Sequence, residues 1–198
     1  MMITYEVGEN LYINTTNRCS NACEFCIRTR QEGYGTANSL WLKEEPTKEE
    51  ILEDILKRDL EKYPELVFCG FGEPFYRIDD ILWVVKKLKE TKLVTVRINT
   101  NGLGDLILGY RVSPKLEGII DIVSISLNAS NAKDYDAICH PEFGEQSFEA
   151  MLTFAKTAKE YVPLVIFSVV DVIGTEEIEA CRRIAKDCGV EFRIRDEL

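Results

Sequence analysis

The sequence predicts an α/β domain built on parallel strands, and three observations carry that prediction. Short apolar runs of strand length alternate with stretches of helical periodicity along the chain. Apolar residues make up 45% of the 198, enough for one domain with a sizeable core. Polar or glycine-rich words follow five of the strands, where an α/β fold collects its chemistry.

In chain order, "LYINTT" (11–16) reads as strand one. A helix follows over 46–64: Thr47 and Glu50 stand at capping-box spacing, Ile51, Leu52, Ile55, Leu56 and Leu60 form an apolar stripe, and Pro64 lies beyond the last turn. "ELVFCG" (65–70) is strand two, 78–90 a second helix and "VTVRIN" (94–99) strand three. "SPKLEG" (113–118) offers only a short helix before strand four, "IDIVSISL" (120–127). A helix over 147–160 precedes strand five, "PLVIFSVVD" (163–171). The last helix, 175–189, ends at Gly189, which suits a left-handed cap, and leads to strand six, "VEFRIR" (190–195). Six strands separated by helices imply parallel pairing and right-handed crossovers. There is no linker, repeat or low-complexity segment, so one domain is expected over 1–198. An open doubly wound sheet and a partial β/α barrel both fit. In either, "TTNRCSNACEFC", "GFGEP", "NTNG", "SLNAS" and "VDVIG" share the rim at the C-terminal ends of the strands.

A formal net charge of −10 and a pI near 4.8 give an acidic surface that repels phosphate backbones, so nucleic acid is a poor default partner. The N-terminus "MMITYEVGEN" lacks the cationic-then-apolar pattern of a signal peptide, and no apolar stretch approaches the ~18 residues of a membrane helix. The expected location is therefore the reducing cytoplasm. There seven cysteines, an odd number, serve as metal ligands or buried thiols rather than disulfides.

Three of those cysteines, Cys19, Cys23 and Cys26, crowd into "NRCSNACEFC" with the spacing C-x3-C-x2-C. Thiolates are soft donors that select zinc or iron–sulfur. A closed structural zinc site takes four ligands, usually as two separated pairs. Here there are three thiols, and the only histidine, His140, is far along the chain. On a four-iron cluster three thiolates leave one iron open to a substrate or cofactor.

C-x3-C-x2-C after the first strand of a β/α chain resembles the signature of the radical S-adenosylmethionine (radical SAM) superfamily, and Phe25 before Cys26 fits its C-x-aromatic-C ending. "GFGEP" resembles the family's GGEP motif, departing at Phe71 where a glycine is usual. "NTNG" and "SISLN" resemble its third- and fourth-strand motifs. The wording of "FCGFGEP" and "SISLNAS" is also similar to a TatD-associated radical SAM group. The resemblance spans strands one to six and implies a partial (β/α)6 TIM-like barrel, which selects that architecture over the open sheet.

The resemblance further implies a 4Fe-4S cluster on Cys19, Cys23 and Cys26, with the methionine amine and carboxylate of S-adenosyl-L-methionine on the fourth iron. Phe25 then lies near the adenine. Phe71, Gly72 and Glu73 form the turn at the methionine amine, with Pro74 fixing it. Asn99, Thr100 and Asn101 meet the methionine and ribose, although Asn101–Gly102 also reads as a plain turn. Ser126 and Asn128, two apart on a strand, are expected to share an inward face. Val172 offers backbone contact to the adenine. The implied reaction is one-electron cleavage of S-adenosylmethionine to a 5′-deoxyadenosyl radical that abstracts hydrogen. The electron comes from a flavodoxin- or ferredoxin-type donor. The substrate is open: small members act on small molecules or, as glycyl-radical activating enzymes, on protein. The class-distinct alternative is a non-catalytic zinc module. Cys69, Cys181 and Cys188 are expected in the core, and Cys139–His140 on the substrate side. Arg97 and Arg111 stand as anion contacts by position alone.

Overall fold

The computed structural model describes residues 2–195. Its elements run β1 (Thr4–Val7), β2 (Asn10–Ile13), α1 (Lys48–Leu56), β3 (Leu66–Phe68), α2 (Ile78–Lys89), β4 (Val96–Thr100), α3 (Gly104–Leu108), β5 (Ile122–Ser126), α4 (Ala132–Cys139), α5 (Gln146–Ala158), β6 (Leu164–Val170), α6 (Thr175–Cys188) and β7 (Glu191–Arg195). The strands lie side by side in sequence order, β1 through β7, as one sheet. From β2 to β7 every pairing is parallel. A sheet that never reverses direction of growth is a partial barrel, whereas a doubly wound sheet reverses at a switch point. The expected fold is therefore the observed one, a single open α/β domain.

One strand was not anticipated. β1 pairs antiparallel with β2, Val7 opposite Asn10, across a two-residue turn opened by Gly8 at φ 58. That first turn position takes glycine because a Cβ there is strained. The helix expected over 46–64 is also shorter. Its capping box is present, the Thr47 side chain accepting from the Glu50 amide, but α1 stops at Leu56. Arg58 instead turns to β1, donating to the Thr4 carbonyl at 3.0 Å and the Thr4 hydroxyl at 3.1 Å. α3 and α4 are further helices that the periodicity did not reveal.

Period-two alternation sorts the sheet into two faces. Leu11, Ile13, Leu66, Phe68, Val96, Ile98, Val123, Ile125, Val165, Phe167 and Val169 join the main core with Ile51, Ile81, Met151 and Phe154 from the helices. Cys181 and Cys188 are buried there, as expected, and Gly189 caps α6 at φ 68. The register places Asn99 beside Ser124, and Ser126, Ser168 and Arg193 in one row of the opposite, inner face. Cys69 follows Phe68 onto that inner face, which corrects its expected place in the core. A second cluster, Tyr5, Ala37, Leu40 and Phe71, forms where the segment after the cysteine loop folds back. Asn14 donates to the Leu40 carbonyl at 2.7 Å, and Asn17 clamps Leu42 by accepting its amide and donating to its carbonyl.

Candidate functional site

The cysteine loop leaves the C-terminal end of β2 and is pinned on three sides. At the end of α4, the Ala22 and Glu24 amides donate to the carbonyls of Cys139 and Ile138, both at 3.0 Å. These are final-turn helix carbonyls, which lack partners inside their own helix. From the turn after β3, the Glu73 amide donates to the Arg18 carbonyl at 2.7 Å. Gly72 packs so close that a Cβ would lie 2.3 Å from the Thr16 carbonyl, so only glycine fits without moving the loop. From β4, the Asn101 amide side chain donates to Ser20 Oγ at 2.9 Å and Asn21 Oδ1 at 3.2 Å.

These contacts belong to one buried polar network. Glu73, 3% exposed, accepts from Thr100 Oγ1 at 2.7 Å and the Phe75 amide at 3.1 Å through Oε1, and from the Asn101 amide at 2.7 Å through Oε2. Asn21 Nδ2 donates onward to the Tyr135 hydroxyl at 3.0 Å. Burial pushes the Glu73 carboxyl up to about 7, the three donors acting in the opposite direction. The network joins the ends of β3 and β4 and α4 to the thiol loop, which fixes its shape.

Cys19, Cys23 and Cys26 are free and partly exposed. Burial pushes the Cys19 thiol up to about 12 and raises Cys26 as well. Cys23 is raised chiefly by a hydrogen bond with Cys139, then by burial. Ligation at any of them displaces a proton. Among the described residues, no three His, Cys, Asp or Glu side chains gather tightly enough to hold one metal ion. A single zinc, with Zn–S near 2.3 Å, draws its thiolates to roughly 4 Å of one another. A cluster asks less of them, because each thiolate takes a different iron. Three free thiols on one loop are a donor set that fits an iron–sulfur cluster.

Beside the loop lies a cavity of about 640 Å³, within the ~300–1,000 Å³ typical of small-molecule sites. Phe25, Asn128 and Val172 line it together with Ile138, Ile173 and Glu177. Asn128 is 4% exposed and sits at φ 61. The Ala129 amide closes on the Leu127 carbonyl at 2.8 Å, forming a γ-turn centred on Asn128. Its Nδ2 reaches Cys139 Sγ at 3.7 Å, and its buried Oδ1 has no partner. Charged side chains, Glu24, Arg30, Asp134 and Glu177, share the cavity lining with the apolar ones, and an unpaired buried acceptor at its border suits a ligand that brings an N–H or O–H donor.

Phe25, Asn128 and Val172 are thus brought together on one cavity. Glu73, Thr100 and Asn101 meet in the network behind the loop. Phe71 turns away, edge-on to Trp41 at 5.1 Å between ring centroids, leaving only its backbone at the turn. Asn99 lies on the inner face, beside Ser124 in the register, with its buried Oδ1 unpaired. Ser126 accepts from Arg195 on that face at 3.4 Å. Ser126 and Asn128 do not share a face: β5 ends at Ser126 and the left-handed backbone at Asn128 redirects its side chain. His140 caps α4 in a left-handed conformation at φ 42, its Nε2 3.4 Å from the Glu24 carboxylate. Ser20, Asn21 and Tyr135 are site residues that sequence reasoning missed, while Cys139, expected on the substrate side, is buried against the thiol loop and Asn128. Asn21 lay within the cysteine motif, but nothing in its spacing tied it to Tyr135.

A sequence model described as the Radical SAM superfamily matches residues 13–188. The chain is 30% identical over 131 residues to a probable dual-specificity RNA methyltransferase RlmN of Prochlorococcus marinus (strain MIT 9515), covering 61% of this chain and 34% of that protein. A second protein of that description, from Prochlorococcus marinus subsp. pastoris, matches to the same extent. The chain thus spans about a third of the length of the curated relatives it matches. Among solved structures, a radical SAM methyltransferase from Sphaerobacter thermophilus superposes with a TM-score of 0.68 at 17% identity, over 98% of this chain and 57% of that one. SuiB of Streptococcus suis bound to S-adenosylmethionine gives 0.64 at 16%, over 94% and 38%. Methylornithine synthase gives 0.60 at 19%, over 94% and 52%. At these identities the superpositions speak for the fold.

Proposed function

The chain belongs to the radical SAM superfamily, enzymes whose cofactors are a 4Fe-4S cluster and S-adenosylmethionine, and from that premise we propose that Cys19, Cys23 and Cys26 ligate the cluster and that the cavity beside them receives S-adenosylmethionine. The observation that carries this reading is the joint placement of Phe25 and Asn128. Phe25 precedes a ligand in sequence, and both residues wall one cavity. When bound, cluster and cofactor supply one-electron cleavage chemistry for hydrogen abstraction from a substrate C–H bond.

The chain's own residues bind and orient. Phe25 offers an apolar surface to the adenine ring. Val172 and Ile173 form part of the cavity wall, and Asn128 Oδ1 accepts from a cofactor N–H or O–H. Glu73, Thr100 and Asn101 act one layer back: they hold Ser20 and Asn21, and hence the loop that presents the thiols. The reaction requires a one-electron donor of flavodoxin or ferredoxin type. Among the described residues no helix is long and apolar enough to cross a membrane.

Anaerobic reconstitution with iron and sulfide, followed by metal and sulfide analysis, tests the assignment. About four irons and four sulfides per chain are expected. Cys19→Ala, Cys23→Ala and Cys26→Ala are each expected to lose the cluster with little change in far-ultraviolet circular dichroism. Stoichiometric zinc without sulfide in anaerobically prepared protein would sink the assignment.

A further inference from the structure

The stretch 20–24 of the thiol loop runs antiparallel to 138–142. The Glu142 amide donates to the Ser20 carbonyl at 2.7 Å, and Asn21 bridges Pro141. The Ala22 and Glu24 amides donate to the carbonyls of Cys139 and Ile138, both at 3.0 Å. Cys23 lies between those two donors, so the backbone sets it against Cys139. The side chains follow. Cys139 is fully buried in the main core, and Cys23 packs against that same core, which Cys19 and Cys26 do not join. A hydrogen bond with Cys139 is the chief reason the Cys23 thiol keeps its proton. On its other side, Cys139 Sγ is reached by Asn128 Nδ2 at 3.7 Å.

The function proposed above uses Cys23 as a ligand and leaves the thiol of Cys139 without a task. A disulfide asks for Cα atoms about 4.4–6.8 Å apart. Opposed residues on an antiparallel ladder stand about 4.5–5.5 Å apart, within that range. The two thiols also differ in access: Cys23 is partly exposed and Cys139 lies buried behind it. An oxidant from solvent therefore meets Cys23 first, and Cys139 stands ready to resolve the product, as in redox-sensing thiol pairs. The rival partner Cys26, three residues on, stays outside the core contact that Cys23 makes.

We propose that Cys23 and Cys139 form a reversible disulfide in the cluster-free protein, with a low-molecular-weight disulfide as the oxidant. The Cys23 sulfur attacks the small disulfide, a mixed disulfide forms and the first small thiol leaves. The Cys139 sulfur then attacks Cys23 Sγ, the protein bond forms and the second small thiol leaves. Two protein thiols are oxidised, one small disulfide is reduced, and the two protons end on the departing thiols. With Cys23 engaged, the loop keeps two thiols, one short of the ligand set, and loading waits until the bond is reduced. That consequence rests on the ligation by Cys23 proposed above; the bond itself does not.

The test treats the cluster-free full chain with excess oxidised glutathione at about pH 8.5, near the pKa of a free cysteine. Trypsin leaves Cys19, Cys23 and Cys26 together in peptide 19–28 and Cys139 in peptide 134–156. Mass spectrometry of the unreduced digest is expected to show those two peptides joined through Cys23, in a chain that stays monomeric on non-reducing electrophoresis. Dithiothreitol is expected to release them. A bond within 19–28, a glutathione adduct that persists on Cys23 with Cys139 unmodified, or two thiols left unreacted overturns the proposal. The mapping is done on wild type, so no variant has to fold. Cluster-loaded protein, counted for iron and sulfide, is expected to resist the same treatment. Loaded protein that forms the bond without losing iron removes Cys23 from the ligand set and leaves the disulfide standing.

Discussion

Asn128 is the residue at which the proposed cofactor pocket is most sharply testable. It borders the cavity, its Oδ1 is buried and unpaired, and its backbone sits at φ 61. A bulky replacement such as Asn128→Leu confuses two effects, because left-handed backbone costs most side chains about 1–2 kcal/mol and asparagine less. Asn128→Gly separates them. Glycine takes that backbone without strain, so the fold is expected to change by no more than ~1 kcal/mol, the 3.7 Å contact to Cys139 Sγ being weak. The lost acceptor is a different matter. A cofactor donor left unpaired in a buried site costs about 1–3 kcal/mol, or roughly 5- to 150-fold in Kd. Equilibrium dialysis of S-adenosylmethionine on reconstituted wild type and Asn128→Gly, matched for iron, measures that ratio. Urea unfolding of both checks the stability term. Equal Kd values at equal iron loading would remove Asn128 from the pocket.

Glu73 makes stability depend on pH. Its folded value near 7 lies above the ordinary 4.5 because burial penalises the charge, so the folded state holds the proton more tightly than the unfolded. The contribution is full below about pH 4.5 and fades as pH rises through 7, by on the order of 3 kcal/mol. Glu73→Gln is expected to flatten that slope in urea titrations between pH 5 and 7.5. It is also expected to cost about 1–3 kcal/mol when the new NH₂ takes the Oε2 position and meets the Asn101 N–H donor to donor. An unchanged slope would show that another group sets the pH dependence. Phe71→Gly, which restores the residue usual in the motif, empties the second cluster beneath Trp41 and is expected to cost about 3–5 kcal/mol, the range for deleting a buried ring. A melting temperature within ~2 °C of wild type would mean that Phe71 packs no core.

The parallel strands were legible because buried strands are short apolar runs bounded by polar words, as in "VTVRIN" and "PLVIFSVVD". The thiol loop was legible because three soft donors in eight residues have few other uses. β1 escaped notice because it is only four residues long, although Thr4–Val7 alternates polar and apolar and ends at the Gly8 turn. α4 was hidden because it buries only Tyr135 and Cys139, although Asn131 accepting the Asp134 amide is a cap that spacing alone suggests. Cys69 was misplaced because β3 has three residues, too few for the alternation to declare itself. The network through Glu73, Asn101, Asn21 and Tyr135 lay beyond reach for a plainer reason. Asn21 and Tyr135 are 114 positions apart, and only the fold sets that partnership.

The seating of the thiol loop on α4 has a consequence in time. The amides of Ala22 and Glu24 are held by carbonyls of Ile138 and Cys139, so the loop has no fixed shape until a helix more than a hundred residues downstream has been made. At about 5–20 residues per second of synthesis, that interval lasts roughly 6–23 s. Until then the three cysteines lack the part of their seat that α4 provides. The rigid holder is a late product of the chain, and loading its cargo in register with the fold falls after translation has passed α4.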